Sequence, residues 1–199
     1  MLSSRLINKM EHNFCDINES EETIIKAAEI LYVTFTCNVG KPWLTNSKEA
    51  LDEVRECVEE PNICIGIKAG SELAGWAGIR RLYEKTWELH PMVIKRECQG
   101  KGYGRALLGE MERLARLNGV IGLVAGSDDE TFSTSLSEKE MTGENILEEI
   151  RNVKNYKNHP FEFYMKCGYS IVGIIPNANG PRKPDIWLWK DVRNNANSA

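Results

Sequence analysis

The residues best suited to chemistry in this chain form a glycine-rich segment, Gln99-Gly100-Lys101-Gly102-Tyr103-Gly104-Arg105. An alternating apolar strand pattern precedes the segment, and an amphipathic helix pattern follows it. Glycine lets a backbone approach an anion closely, and the N–H groups of a first helical turn point at that anion. Lys101 and Arg105 add positive charge, so the segment predicts a phosphate cradle.

The spacing of the glycines separates this segment from two common nucleotide-binding loops. A Walker A loop requires Ser or Thr after Gly-Lys, and the dinucleotide fingerprint requires Gly-x-Gly-x-x-Gly. This chain reads Gly-x-Gly-x-Gly and has Tyr after Lys-Gly. Taken alone, the segment also fits a glycine-rich turn that binds no ligand, so the flanking segments must decide.

The strand that enters the glycine loop is predicted over Thr86–Ile94, with Glu88 and His90 on one face. Pro91 interrupts this strand. A proline inside a central strand removes a ladder donor and is normally confined to an edge or a bulge. The sequence therefore predicts a bulged or splayed strand at this point.

The other elements alternate between strands and helices along the chain. Strands are predicted at 14–17, 63–67, 73–79, 120–125, 171–175 and 185–190. Helices are predicted after the caps Ser20 and Ser47, after the glycine loop, and over 161–166. The polar, acid-rich segment 127–158 is longer than an ordinary connection, which indicates a functional loop or lid that is partly helical around 145–153.

Length and composition limit the classes of protein that this chain can belong to. Its 199 residues suit a single domain over 1–192, with the acidic insertion around 127–158 and a disordered tail at 193–199. The net charge is −4 and no basic stripe is present, so nucleic acid is not an expected partner. An electronegative site for a cationic ligand is favoured instead.

Neither a membrane span nor a metal site is predicted. No apolar run is long enough to cross a bilayer, and the N-terminal segment lacks the apolar region of a signal peptide, so a cytoplasmic protein is expected. The six cysteines are scattered without a Cys-x-x-Cys pair, and the three histidines are not clustered. This pattern predicts reduced, mostly buried thiols.

Two motifs carry a resemblance to a known superfamily. Gln99, Gly102 and Gly104 satisfy Gln/Arg-x-x-Gly-x-Gly/Ala, and Phe163-Tyr164-x-Lys166-x-Gly168-Tyr169 follows in the expected order. Both resemble signatures of the GCN5-related N-acetyltransferases (GNAT), and the order of elements is similar over nearly the whole chain. The resemblance implies an α/β (α+β) GNAT fold with flanking helices, whose mixed sheet of about seven strands is splayed at an acetyl-CoA site.

A narrower resemblance rests on four further segments: Trp87-Glu88-Leu89-His90-Pro91, Ser127-Asp128-Asp129-Glu130, Asn158-His159-Pro160, and Ile175 to Gly180 with Lys183-Pro184-Asp185. These are similar to segments of the aminoglycoside 6'-N-acetyltransferases. That family implies direct transfer of acetyl from acetyl-CoA to the 6'-amine of drugs such as kanamycin and tobramycin, which confers antibiotic resistance. It needs no metal, and its members often form homodimers.

Direct acyl transfer needs a neutral amine, a polarised thioester carbonyl and a proton for the departing thiolate. The resemblance implies that Tyr164 lies near the coenzyme sulfur as the proton donor. It also implies that Met92 and Val93 present backbone N–H groups to the acetyl carbonyl and the pantetheine arm, while residues 99–105 bind the pyrophosphate. Glu88 and His90 could accept the ammonium proton directly or through water, although each also fits a structural role.

Acidic side chains are the candidates for binding the acceptor. Asp128, Asp129 and Glu130 follow an interior strand at its C-terminal end, where ligands tend to bind. Asp185 opens the last strand, and Trp43 could form an apolar wall against a sugar ring. The three acidic residues after the strand also fit a solvated turn. Asp185 also fits a strand-end cap, and Trp43 also fits a loop anchor.

Two other functions remain open at this level. One is a GNAT enzyme that acetylates another amine, such as a polyamine or a peptide N-terminus, for which the acidic cluster serves equally well. The other is a non-catalytic module that binds acetyl-CoA, against which the presence of Tyr164 beside the coenzyme loop argues.

Overall fold

The structure is a computed structural model that describes residues 13–36 and 44–193. Trp43, predicted as a wall of the acceptor site, lies outside the described residues. The predicted tail at 193–199 also lies outside them, apart from Arg193.

Seven strands form one mixed sheet in the order β1-β2-β3-β4-β5-β7-β6. Their bounds are β1 Asn13–Asp16, β2 Ile63–Ala69, β3 Glu72–Arg81, β4 Thr86–Ile94, β5 Gly122–Asp128, β6 Ser170–Ile175 and β7 Asp185–Asp191. Neighbouring strands are antiparallel except for β4 and β5, which are parallel. The predicted α/β class with a mixed sheet of about seven strands is confirmed.

Within the described parts of the chain, five α-helices flank the sheet: α1 Glu21–Thr36, α2 Ser47–Val58, α3 Tyr103–Leu117, α4 Ile146–Arg151 and α5 Phe161–Lys166. Ser20 caps α1 as predicted, since its hydroxyl accepts a hydrogen bond from the Thr23 N–H at 3.2 Å. The predicted cap of α2 is wrong by one residue, because Asn46 accepts from the Glu49 N–H at 2.9 Å and Ser47 is the first helical residue. None of the described helices is long and apolar enough to cross a membrane.

The helices cover the two faces of the sheet separately. On one face, α1 and α2 pack over β2 and β3 around Leu31, Val54 and Trp76. On the other face, α3 packs over β2, β3 and β4, while α5 packs over β6 and β7, and both share the core that contains Leu107 and Leu188. The boundary between β4 and β5 therefore lies between α3 and α5.

Strand β4 is bulged and separates from β5, as Pro91 predicts. Ala77 pairs with Met92 and Ile79 pairs with Leu89, so one residue of β3, Gly78, lies opposite two residues of β4. A Cβ at Gly78 would lie 2.8 Å from the His90 carbonyl oxygen, so the bulge requires glycine there. The pairing of β4 with β5 covers only the first three residues of β4, and beyond them the two strands diverge.

The acid-rich insertion begins inside β5 and contains a short 3-10 helix at Ser135–Ser137 and the helix α4. An isolated bridge between Thr134 and Asn155 closes it into a loop. Leu136 is fully buried in the core that contains Leu107 and Leu188. The insertion is thus anchored to the main sheet at its centre.

Candidate functional site

The glycine-rich loop creates an open space in front of α3. Gly100 and Gly102 have positive φ angles of 72° and 90°, and Gly102 is the N-terminal cap residue of α3. Among the described residues no side chain caps this helix end, and a Cβ placed on Gly102 would meet no atom within 4 Å. The backbone conformation requires glycine, and the exposed helix end with its dipole fits a phosphate group.

Side chains of the loop are placed around this space. Lys101 and Arg105 are exposed, and Arg105 Nη1 donates to the Lys166 carbonyl of α5 at 3.3 Å. Gln99 Nε2 donates to the Ile94 carbonyl at 3.0 Å, which ties the loop to the end of β4. These contacts place residues 99–105, the end of β4 and α5 around one cleft, which is called the coenzyme slot below.

The inner wall of the slot is formed by the first turn of α3 and by α5. Tyr103 and Gly104 are half-buried. A Cβ on Gly104 would lie 3.5 Å from Met92 Cε and 3.5 Å from the Phe163 ring. The predicted coenzyme-binding loop, the bulged strand and the second signature motif therefore meet within van der Waals distance.

The open edge of β4 can supply backbone donors to a ligand in the slot. The Lys95 N–H donates to the Ala74 carbonyl of β3 at 2.8 Å. Because N–H groups alternate between the two sides of a strand, the Met92 and Ile94 N–H groups face the open side, and the Val93 N–H faces β3. The Met92 N–H is unpaired with β3, which its predicted role requires. The Val93 N–H faces the β3 ladder and is not open to a ligand, which corrects the prediction for Val93, and Ile94 carries the second N–H on the open side.

Tyr164 lies on α5, beside the slot. Its half-buried ring makes edge contacts with Phe163 at 5.3 Å and with Tyr169 at 5.7 Å between ring centroids. Burial raises the pKa of the Tyr164 phenol to about 12. The hydroxyl therefore keeps its proton at neutral pH and remains a proton donor for a group that develops negative charge beside it.

The opposite face of the sheet carries two of the predicted acceptor side chains, Asp128 and Asp185, together with the candidate base Glu88. In the strand register Glu88 pairs with Val124, Gly126 pairs with Trp187, and Asp128 pairs with Asp185. Cross-strand partners point to the same face of a sheet. Glu88, Asp128 and Asp185 consequently share one face, on which Gly126 and Asp128 are exposed.

Asp185 is held firmly on this face. Its Oδ1 accepts from the Ser127 N–H at 2.8 Å, and its Oδ2 accepts from Trp187 Nε1 at 2.6 Å. Burial and, next, the charge of Asp128 raise the pKa of Asp185 to about 6, and Glu88 acts in the same direction. A bound ammonium group would relieve the repulsion between these carboxylates.

Asp128 and Glu130 stand nearer to solvent. Asp128 Oδ1 accepts from Asn179 Nδ2, and the Asp128 carbonyl lies 3.0 Å from His159 Nε2. Glu130 is half-buried on the segment that leaves β5. Asp128 is therefore placed beside Asp185 by two neighbouring loops.

Asp129 does not fit its predicted contact with a substrate. Its side chain is fully buried and accepts hydrogen bonds from Ser133 N–H, Thr134 N–H, Thr134 Oγ1 and Ser137 Oγ at 2.6–2.9 Å. Burial by itself would raise the pKa of Asp129, but these donors outweigh it and lower the pKa. With its oxygens already bonded, the carboxylate folds the insertion and is not available to a ligand.

Glu88 and His90 have partners that the sequence analysis missed. Glu88 Oε2 accepts from Arg80 Nε at 2.8 Å, and Glu53 Oε1 of α2 lies 3.2 Å from His90 Nε2. Arg80 could have been found from the β3–β4 register, in which it pairs with Glu88. Glu53 belongs to a helix remote in sequence, and no local pattern points to it.

The two halves of the site lie on opposite faces of the sheet and are joined where β4 and β5 diverge. One face offers a helix N-terminus, open strand donors and a neutral phenol, and the other offers carboxylates. Across residues 13–36 and 44–193, no group of three or more His, Cys, Asp or Glu side chains could hold a metal ion. The arrangement suits transfer of an acyl group from an anionic donor to a cationic acceptor.

Comparisons with known proteins agree with this arrangement. Residues 26–141 match the model of the acetyltransferase (GNAT) family. The fold is similar to that of a solved aminoglycoside 6'-N-acetyltransferase complexed with coenzyme A and to that of the aminoglycoside 6'-N-acetyltransferase from Enterococcus faecium. Each is 28% identical to this chain with a TM-score of 0.81, over 90% of this chain and 97% of the other.

One curated relative matches this chain over part of its sequence. The N-alpha-acetyltransferase RimI of Mycobacterium tuberculosis is 35% identical over 79 residues, which cover 38% of this chain and 49% of the relative. The chain thus spans about half or less of the length of the curated relatives that it matches.

Proposed function

The chain belongs to the GNAT family of acetyltransferases, and from this premise we propose that it acetylates the 6'-amine of aminoglycoside antibiotics of the kanamycin and tobramycin class and so confers resistance. The observation that carries the proposal is the cross-strand pair of carboxylates, Asp128 and Asp185, on the face opposite the coenzyme slot. The similarity of nearly the whole fold to aminoglycoside 6'-N-acetyltransferases supports it.

The coenzyme side of the site fits acetyl-CoA, which supplies the acetyl group as a thioester. The open helix end at Gly102 would hold the pyrophosphate, with Lys101 adding charge. The Met92 and Ile94 N–H groups on the unpaired edge of β4 would hold the acetyl carbonyl and the pantetheine amides. Tyr164 would donate a proton to the sulfur as the thiolate leaves, because its high pKa keeps it protonated until then.

The acceptor side fits an amine that carries further positive charges. Asp185 and Asp128 would bind ammonium groups of the drug, and binding would offset the mutual repulsion that raises the pKa of Asp185. Glu88, held by Arg80, stays beside the opening between β4 and β5 and would accept the proton that the reacting amine loses, directly or through water. His90, fixed by Glu53, is the second candidate for this step.

A second candidate function is acetylation of a peptide N-terminus. It is favoured by the 35% identity to RimI, although that match covers only 38% of this chain. An N-terminal amine needs a single anionic contact, whereas the carboxylates on the acceptor face suit a polycation. The two functions therefore differ in how strongly Asp128 and Asp185 should matter.

A thiol-release assay on the purified chain tests the proposal. Kanamycin, spermidine and a peptide with a free N-terminal alanine are each titrated at saturating acetyl-CoA. We expect kcat/KM for kanamycin to exceed the other two values by at least about tenfold, which corresponds to roughly 1.4 kcal/mol of preferential transition-state binding. A higher value for spermidine or for the peptide would overturn the aminoglycoside assignment.

A further inference from the structure

We infer that the ion pair between Lys190 of β7 and Glu112 of α3 is a positioning device that holds α5, and with it Tyr164, against the coenzyme slot. The inference rests on the proposed role of Tyr164 as the proton donor. Neither residue belongs to a motif that carries the family resemblance.

The ion pair is half-buried and its ammonium group is fully bonded. Lys190 Nζ lies 2.8 and 2.7 Å from the two carboxylate oxygens of Glu112, and it donates to the Cys167 carbonyl at 2.8 Å. The side chains of Lys190 and Glu112 are 23% and 14% exposed. Three acceptors satisfy the three donors of the ammonium group, so the pair fixes one point in space where α3, β7 and the end of α5 meet.

Two links lead from this point to Tyr164. Cys167 is the C-terminal cap residue of α5, and the N–H groups of Cys167 and Tyr169 donate to the Tyr164 carbonyl at 2.9 and 3.1 Å. In addition, Lys190 Nζ lies 5.6 Å from the centroid of the Tyr169 ring, which contacts the Tyr164 ring edge-on. Both the backbone and the ring of Tyr164 are therefore held through Lys190.

Helix α5 needs such support because it has only six residues. A helix of this length is not stable alone and takes its position from tertiary contacts. Cations bind its last carbonyls, with Lys190 at Cys167 and Arg105 at Lys166, where the negative end of the helix dipole favours them. Since Arg105 belongs to the coenzyme loop, α5 is braced from the loop and from β7 at the same time.

A positioning role predicts a loss of rate that depends on Tyr164. Misplacement of a reacting group by about 1 Å can lower a rate by up to about a hundredfold. Lys190→Met should therefore lower kcat by about tenfold to a hundredfold and leave the Kd for acetyl-CoA within about threefold. In the Tyr164→Phe background the same substitution should lower kcat by less than about twofold, because no phenol remains to be positioned.

Controls keep the test independent of folding. Lys190→Met leaves the Glu112 carboxylate half-buried without its partner, so the paired variant Lys190→Met with Glu112→Gln is measured beside it. Arg113→Met is the control, because it removes an exposed ion pair with Glu110 within α3, the helix that carries Glu112. This variant should leave kcat unchanged. Hydrogen exchange at the Cys167 and Tyr169 amides should be faster by at least about tenfold in the Lys190 variants than in Arg113→Met.

An equal fall in kcat with and without the Tyr164 hydroxyl would overturn the inference, and so would an unchanged kcat in the wild-type background. Unchanged hydrogen exchange at the end of α5 would also overturn it. If the wild-type chain acetylates an amine other than kanamycin, the proposed substrate fails. The comparison of Lys190→Met in the wild-type and Tyr164→Phe backgrounds, measured with that amine, then still decides the role of Lys190. The exchange measurement needs no acceptor at all.

Discussion

Asp128 and Asp185 lie opposite each other in the antiparallel ladder of β5 and β7, so two carboxylates share one patch of the acceptor face. Such a pair is unfavourable in the free protein unless a cation joins it. The Ser127 N–H and Trp187 Nε1 hold Asp185 in place at this position. A ligand with several ammonium groups is the natural complement of this patch.

Amide substitution of this pair should weaken drug binding without weakening coenzyme binding. Asp185→Asn and Asp128→Asn keep the side-chain shape and remove one charge each. Charge-assisted hydrogen bonds contribute about 1.5–3 kcal/mol, so KM for kanamycin should rise by roughly tenfold or more, and KM for acetyl-CoA should not change. Glu60→Gln removes an exposed carboxylate without an assigned role and serves as the control. Wild-type KM values in both variants would make the patch an ordinary acidic surface.

The dependence of KM on pH should report the titration of Asp185. Its pKa of about 6 lies above the usual 3.8, so the side chain loses its charge as the pH falls below 6, and KM for kanamycin should rise there. Asp128→Asn removes a charge that raises the pKa of Asp185 and should move the rise in KM to lower pH.

The raised pKa of Asp185 also means that its ionised carboxylate destabilises the fold above pH 6 and not below pH 4. Asp185→Asn removes this penalty but leaves one of the two donors, Ser127 N–H or Trp187 Nε1, without an acceptor. The unfolding temperature of the variant is therefore measured at pH 7.5 beside KM to separate lost binding from lost stability.

Asp129 should behave in the opposite way to Asp185. Its buried carboxylate accepts four hydrogen bonds within the insertion, so Asp129→Ala should lower the free energy of unfolding by about 2–4 kcal/mol. Since the pKa of Asp129 is lowered, this stabilisation is present above pH 4 and is lost as the pH falls further. Denaturant titration gives the free energy. A folded variant with normal stability and a raised KM for kanamycin would restore the original substrate-binding interpretation.

Coenzyme affinity should depend on the backbone at Gly102. Gly102→Val places a branched side chain in the open space before α3 and strains a residue with φ of 90°, so the Kd for acetyl-CoA should rise by at least about tenfold. Gly109→Ala is the matched control: its Cβ also meets no atom within 4 Å, but it lies within α3 and has no positive φ. Calorimetry on both variants makes the comparison, and equal affinities would remove the loop from the coenzyme site.

Removal of the Tyr164 hydroxyl should slow the chemical step. Tyr164→Phe is expected to lower kcat by about tenfold to a thousandfold, with coenzyme affinity nearly unchanged. Because the pKa of Tyr164 is about 12, ionisation of this phenol should cause no loss of wild-type activity below about pH 11. Tyr83→Phe, at an exposed tyrosine, is the control. An unaltered kcat when chemistry limits turnover would leave Tyr164 with a packing role alone.

Elements with a strong local pattern could be predicted from the sequence. The bounds of β4 and α5 agree with the strand predicted over 86–94 and with the short helix predicted over 161–166. The cap of α2 was placed one residue late because Asn46 and Ser47 are both good N-cap residues, and only the hydrogen bond to Glu49 distinguishes them.

Details of the site depended on long-range geometry that the sequence does not contain. Pro91 predicts a bulge, but the side to which the Val93 N–H points is set by pairing with β3. Asp128 and Asp129 look alike in sequence, yet the end of β5 turns one outward and the other into the insertion. The partnership of His90 with Glu53 forms only when α2 packs on the sheet.

The measurement that tests the central proposal most directly compares kanamycin with its analogue that carries a hydroxyl in place of the 6'-amine. Both retain the other ammonium groups, so both should bind the acidic patch and compete with each other. Thiol release with acetyl-CoA should proceed with kanamycin alone, and NMR of the product should place the acetyl group on the 6'-nitrogen. Equal turnover of the two compounds, or acetylation at another nitrogen, would contradict the proposed 6'-N-acetyltransferase activity.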